Sequence, residues 1–454
     1  MSSPATFGQI AINLYDYGVR DWYVRVFGFV YAGGTDLFFG PTTTRVQGIP
    51  NVAERCKWLI DGRDPFQLEF FKFRRPRSKP RRFDARLSDI GYGMMGIHVR
   101  DFDAVVARLA SEGTPIITEP MGVVGERHAC ARDPEGNLVE IFERNPLGDR
   151  APRLARPEVS SNVCTITISV PHLEEFKTRL IDVFGLEDVG PIPLHRPEHE
   201  KLWGLEGAVR KSAVLRADGA LIELVQYEMP VPRPWPDGYR ICDQGFMNMA
   251  FVLHSAEEFD RVFARAVAAG FRPNGEPLDG GVFKVMYVND PQGFSIELLY
   301  LRRWAYRLTG FLPSIPYIQE EVLISAPAEK IWDAVTDHAR MGEWSGLASE
   351  LVTPGKTDRN GVGALRKVRV LGSTVEEEVV EFVPNRRLVY RLLRGAPLRN
   401  HHGTVLLIPE GSATRVRWAV QFESVIPGSG HVIAMVLGRL FRRALVRLKG
   451  MLER

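Results

Sequence analysis

Two stretches decide the fold: residues 133–143, DPEGNLVEIFE, and residues 290–300, DPQGFSIELLY. Each reads as an Asp-Pro-x-Gly turn followed by a strand, with a glutamate seven residues after the aspartate, Glu140 in one and Glu297 in the other. Proline pre-sets φ for such a turn, and glycine supplies its positive-φ position. Upstream of each turn lies a segment whose apolar spacing changes from about 2 to about 3.6, the mark of a strand running into a helix. These segments are MMGIHVRDFDAVVARLASEG (94–113) and NMAFVLHSAEEFDRVFARAVAAGF (248–271). Two further copies are QIAINLYDYGVRDWYVRVFGF (9–29) and TITISVPHLEEFKTRLIDVFGL (165–186). They close in PFQLEFFKF (65–73) and ALIELVQYE (220–228), which place Glu69 and Glu223 on their last strands. The chain therefore holds four copies of one strand–helix–strands unit before residue 304.

This fourfold pattern with its paired turns resembles the vicinal oxygen chelate superfamily, which includes glyoxalase I, extradiol dioxygenases, methylmalonyl-CoA epimerase and bleomycin-resistance proteins. Two βαβββ repeats make one module there, so the resemblance implies glyoxalase-like modules at 1–147 and 160–303. The linker expected at 148–159 is rich in proline and arginine, as an exposed connection should be. In metal-using relatives the first strand of a repeat offers one ligand and the last strand a glutamate. The matching first-strand positions are Gln9, Met94, Thr165 and Asn248, none a histidine, whereas Glu69, Glu140, Glu223 and Glu297 fill the last-strand positions. Catalytic zinc, iron or nickel prefers imidazole with carboxylate. No metal ligand or cofactor is therefore expected, with a divalent metal kept as the lesser alternative.

Strand alternation turns further polar groups toward the expected cavities. One cavity is expected to combine His98, His128, Glu69 and Glu140. The other is expected to combine Tyr287, Glu223, Glu297, Thr165 and Asn248. Glu140, His128, Glu297, Tyr287, Glu69 and Glu223 are the candidate catalytic groups, because imidazole beside carboxylate, or tyrosine beside glutamate, makes an acid–base pair. His98, Asn248 and Thr165 are candidate ligand contacts. Relatives build sites within one module or between two; in the shared arrangement Gln9 and Glu69 would face Asn248 and Glu297.

After a second linker at 304–316 the pattern changes. YIQEEVLISAPAEKIWDAVTDHARMGEWSG (317–346) reads as a strand, a Ser-Ala-Pro helix entry, a helix and a turn; alternating strands follow, then a long amphipathic helix from about residue 430 to 452. Ser325-Ala326-Pro327, Ile331-Trp332, Trp344 and Gly361-Val362-Gly363-Ala364 carry a resemblance to the START/Bet v 1 superfamily and its polyketide cyclase/dehydrase (SRPBCC) branch. It implies a helix-grip domain over 317–454 with a cavity for sterol, polyketide or aromatic ligands. Trp332, Trp344, Arg391 and His402 are its candidate ligand-binding residues, and Arg366, Glu376, Glu378, His401, Arg417 and Glu423 are further candidates for its polar groups. The fold class expected is thus α+β, two βαβββ-repeat modules followed by a helix-grip domain.

Totals narrow the function. The chain has 454 residues, a formal charge of +3 and four widely spaced cysteines with no CxxC pair. These values argue against a disulfide framework and against nucleic acid as a partner, and fit a reducing, cytoplasmic setting. The basic segment KFRRPRSKPRR (72–82) reads as a solvated loop or a contact for an anionic group. No run suits a membrane span or signal peptide, and a monomer or homodimer is expected. The leading expectation is a small-molecule isomerase, cyclase or lyase using acid–base chemistry on a hydrophobic carbonyl, aromatic, polyketide or steroid-like compound. The alternatives are a non-catalytic binding or sequestering protein and a metal-dependent extradiol-type dioxygenase or glyoxalase-like lyase.

Overall fold

The structure, a computed structural model, describes residues 5–454 apart from Ile192, Ile315, Leu371, Pro427 and Gly428. The first four residues of the first expected module, Ile315 of the second expected linker and Leu371 at the end of an expected strand lie outside it. The chain forms two compact units, one ending at Leu312 and the other beginning at Pro313.

In the first unit, repeat one supplies β1 (Thr6–Asn13), α1 (Gly18–Phe27), β2 (Val30–Phe39), α2 (Gly40–Gln47), β3 (Ala53–Ile60) and β4 (Gln67–Arg75). Repeat two supplies β5 (Gly91–Val99), α3 (Phe102–Ser111), β6 (His128–Arg132) and β7 (Leu138–Phe142). Repeat three supplies β8 (Ser161–Ser169), α4 (Leu173–Phe184), β9 (Glu187–Asp188), β10 (Val209–Ala217) and β11 (Ala220–Met229). Repeat four supplies β12 (Gly245–Leu253), α5 (Ala256–Ala268), β13 (Arg272–Pro273), β14 (Leu278–Asp279), β15 (Phe283–Asn289) and β16 (Ser295–Leu301).

Local chemistry accounts for these boundaries. Asp101 and Ser255 cap α3 and α5 by accepting from the N–H three residues on. In the two Asp-Pro-x-Gly turns, Gly136 and Gly293 take φ of 84° and 92°, and the aspartates fold back on the turn: Asp133 accepts from the N–H of Glu135 and Asn137, and Asp290 from that of Gln292. The turn therefore launches β7 and β16 in a fixed direction, with Glu140 and Glu297 buried at their middles.

The repeats pair crosswise. The first sheet runs β13-β15-β16-β12-β1-β4-β3-β2, with β14 on β15, joining repeats one and four through the antiparallel β1–β12 seam. The second runs β6-β7-β5-β8-β11-β10-β9, joining repeats two and three through β5–β8. Each sheet thus takes one repeat from each sequence module, so the shared arrangement holds and the within-module cavities do not form.

The second unit has β17 (Tyr317–Ile324), α6 (Ala328–Thr336), α7 (Met341–Ser345), then β18 (Ser349–Thr353), β19 (Leu365–Val370), β20 (Ser373–Val383), β21 (Arg387–Arg394), β22 (Leu398–Glu410) and β23 (Ala413–Ser424), and ends in α8 (Gly430–Leu452). The strands form one antiparallel sheet, β17-β23-β22-β21-β20-β19-β18. Leu437, Phe441, Ala444, Leu445 and Leu448 of α8 pack with Trp418, Val416 and Val420 of β23 in its core, so the helix lays its apolar stripe against the sheet. Among the described residues no helix is long and apolar enough to cross a membrane.

Candidate functional site

The first sheet holds a cavity of about 470 Å³. Phe38, Phe39, Phe71, Leu299 and Phe311 make much of its wall, and Gln9, Trp58, Glu69, Tyr287 and Glu297 reach it as polar groups. Tyr287 and Glu297 are cross-strand partners on β15 and β16, and Trp58 and Glu69 are partners on β3 and β4. Glu69 Oε1 accepts from Trp58 Nε1 at 2.9 Å and from the Cys56 thiol at 3.0 Å, while its Oε2 accepts from the Gln9 amide. Glu297 has less support, a hydrogen bond with Tyr287, and its Oε2 has no hydrogen-bond partner. No lysine, arginine or histidine lines this cavity among the described residues.

These surroundings separate the two acids. Burial pushes Glu69 up to about 7, held there by the three donors that favour its ionised form. Burial, with the Glu69 charge adding to it, drives Glu297 well above the usual carboxylate range. The Tyr287 hydroxyl is likewise pushed up by burial and by Glu297, so it stays a donor. Gln9, Glu69, Asn248 and Glu297 occupy the positions that carry metal ligands in metal-using relatives. The set does not fit a metal of that type here: it has no imidazole, and both oxygens of Glu69 are already engaged by protein donors.

The second sheet builds the opposite environment. His195, from the loop after β9, sits fully buried between two carboxylates: its Nδ1 is 2.6 Å from Glu223 Oε2, and its Nε2 is 2.9 Å from Glu140 Oε2. His128 Nδ1 lies 2.8 Å from Glu140 Oε1. Thr167 donates to Glu223 Oε2 at 3.1 Å, and Arg210 fixes the loop by donating to the His195 carbonyl at 2.7 Å. Arg210 also pairs with Glu200, which accepts from Trp203 and Tyr227. Burial alone would raise Glu140, but the imidazoles of His195 and His128 outweigh it and hold the carboxyl at about 2. Burial alone would lower His195, but Glu140 and Glu223 hold it at about 10.

The structure regroups the residues singled out in the sequence. Glu69 leaves His98, His128 and Glu140 for the first sheet, where it joins Gln9, Tyr287 and Glu297. Glu223 and Thr165 leave Tyr287, Glu297 and Asn248 for the second. The reason is the crosswise pairing, which places the last strands of repeats one and four in one sheet. His98 bonds Asn162 at 3.1 Å, Thr165 is buried against Gly96, and Asn248 stands on β12 beside the Tyr287 hydroxyl. His195, His199, Arg210, Trp58 and Cys56 were missed. The segment LHRPEHEKLW (194–203) did carry a signal, two histidines four apart among acids, but in a stretch without periodicity.

In the second unit a cavity of about 260 Å³ is lined by Arg366, Glu377, Tyr390, His401, Trp418 and Phe441 among others. Arg366 pairs with Glu377 at 2.8 Å, lies 4.3 Å over the Tyr390 ring and meets His338 Nδ1 at 3.2 Å. Of the candidates expected here Arg366 and His401 line the cavity, whereas Trp332, Trp344, Arg391 and His402 do not. Trp332 packs on Phe382 in the core, and Trp344 packs on Trp418 and donates to the Ala334 carbonyl. Arg391 pairs with Glu378 in the open, and His402 is its cross-strand partner. A register shift between Arg399 and His402 turns His401 inward instead.

Both parts of the chain have matches among solved structures and family models. The structure of glyoxalase I from Zea mays is similar over 65% of this chain and 92% of its own, with 17% identity and a TM-score of 0.45. A START superfamily protein from Mycobacterium smegmatis is similar over 30% of this chain and 97% of its own (17% identity, TM-score 0.28). XoxI from Bacillus cereus covers 30% of this chain and 94% of its own (17% identity, TM-score 0.26). No curated protein sequence matches the chain. The family model described as polyketide cyclase / dehydrase and lipid transport matches residues 317–453. The model of the other family matches residues 18–141 and 164–298, more than half of the chain. The chain thus belongs to the Glyoxalase/Bleomycin resistance protein/Dioxygenase superfamily, with a polyketide cyclase-type domain following its two glyoxalase stretches.

Proposed function

We propose that the first unit catalyses proton transfer beside the carbonyl of a hydrophobic compound held in the cavity of the first sheet. Both matched families support a role in binding or converting small molecules. The observation that carries the finer reading is two carboxyls in one apolar cavity whose environments push them apart. Glu69, with three donors and a value of about 7, is the base. Glu297, kept protonated by burial, is the acid.

Glu69 removes a proton from the carbon next to the carbonyl. Glu297 and the Tyr287 hydroxyl donate hydrogen bonds to the oxygen on which negative charge develops, where apolar walls strengthen each interaction. Where a double bond is conjugated with the enolate, Glu69 then returns its proton to the far carbon of the dienolate, which isomerises the compound; where a leaving group stands β to the carbonyl, the enolate expels it, which makes the reaction a lyase step. Phe38, Phe71 and Phe311 exclude water and favour an aromatic or alicyclic skeleton.

The test is deuterium exchange from heavy water into β-tetralone and a steroid ketone, followed by NMR. Exchange above the buffer rate, reduced about 100-fold or more in Glu69→Gln, is expected. Equal exchange in wild type and Glu69→Gln would refute the assignment. The second unit favours an accompanying binding role: its smaller cavity joins an apolar wall to the Arg366–Glu377 pair, which suits a hydrophobic compound with one polar end.

A further inference from the structure

We propose that the imidazole–carboxylate cluster of the second sheet is a site for one divalent transition-metal ion, with His128, His195 and Glu140 as its ligands. The site is separate from the cavity of the proposed proton transfer and does not depend on that reading. Among the described residues this is the one place where three histidine, cysteine or acidic side chains bring ligating atoms within 4.8 Å of one another. Two imidazole nitrogens and a carboxylate form the donor set that suits Zn²⁺, Co²⁺, Ni²⁺ or Fe²⁺ better than Mg²⁺ or Ca²⁺.

The surroundings match what a metal site requires beyond its ligands. Glu223 faces Nδ1 of His195 at 2.6 Å and is itself oriented by Thr167. A carboxylate there keeps a proton on Nδ1 and aims Nε2 at Glu140, the arrangement that fixes a ligating histidine. Arg210 anchors the loop through the His195 carbonyl. His128 is stacked on Phe142 at 5.9 Å and met edge-on by His199 at 4.3 Å. All three ligands are buried, and two stand on adjacent strands, β6 and β7. The first-strand positions of this sheet, Met94 and Thr165, take no part; the nitrogen ligands come instead from a closing strand and a loop.

The experiment uses the full chain, stripped with a chelator, dialysed, and titrated with Co²⁺ and then Zn²⁺. Expected are visible d–d bands that saturate at one equivalent of Co²⁺ and are displaced by Zn²⁺. Affinity should fall about 100-fold in His128→Gln and His195→Gln, about tenfold in the positioning variant Glu223→Gln, and not at all in Glu69→Gln or Glu297→Gln. If His195→Gln does not fold, His128→Gln and the paramagnetic shift of the wild-type imidazole signals decide the matter. No bands in the wild type, or bands unchanged in His128→Gln, would overturn the site and leave an ion-pair network only. Bands lost in Glu69→Gln would overturn it by moving the metal to the first sheet.

Discussion

The two sheets of the first unit place glutamates at matching positions and treat them in opposite ways. Glu69 and Glu297 face an apolar cavity with neutral donors, and burial raises both. Glu140 and Glu223 face His195 and, in the case of Glu223, Arg210; burial opposes these charges but loses to them, and both acids are lowered. The strand positions are thus set by the repeat, while the chemistry is set by what stands opposite each carboxyl. One sheet keeps protons to exchange, and the other keeps charge compensated.

The largest effect should come from removing that compensation. His195→Ala leaves Glu140 and Glu223 buried without the ring that bridges them, and breaking a buried pair in this way costs about 3–5 kcal/mol. Urea unfolding in the presence of a chelator measures it. Glu297→Gln, by contrast, removes a carboxyl that no cation supports, and should be neutral or stabilising above neutral pH. Equal losses for the two variants would break the comparison.

The pH dependence of stability is the next effect. In the folded chain Glu69 holds its proton up to about 7, against 4.5 when unfolded. Between these values the native state binds the extra proton, so stability is full at acid pH, falls as pH rises through this window, and levels off above it. The decline should be on the order of 3 kcal/mol, and Glu69→Gln should reduce it. An equal decline in wild type and Glu69→Gln would show that Glu69 does not hold the extra proton.

How much of this was legible in the sequence follows from which forces are local. The turns at Asp133 and Asp290 are decided by proline, glycine and the aspartate's own hydrogen bonds, so they and the glutamates after them could be read directly. The partner of each edge strand is decided by packing between segments far apart in the chain. Strand alternation puts Glu69 on an inward face but does not say that Glu297, rather than Glu140, shares its cavity. His195 lies in an irregular loop whose course depends on Arg210, and no periodicity marks it. His401 replaces His402 at the second unit's cavity because one register shift reverses the alternation.

The smallest effect is the one most specific to the first sheet. Trp58 donates one of the three hydrogen bonds that favour the ionised form of Glu69. Trp58→Phe keeps an aromatic wall but removes that N–H, so the loss of stability should be about 1 kcal/mol. The same loss weakens the charged form of Glu69, and the acid limb of the exchange rate should move upward from about 7. A structural role alone would lower stability and leave the limb where it was. Thr167→Val is the matched change in the second sheet, since Thr167 donates to Glu223. It should cost a similar amount and leave the exchange profile unmoved, because the carboxyl it supports belongs to the other chemistry.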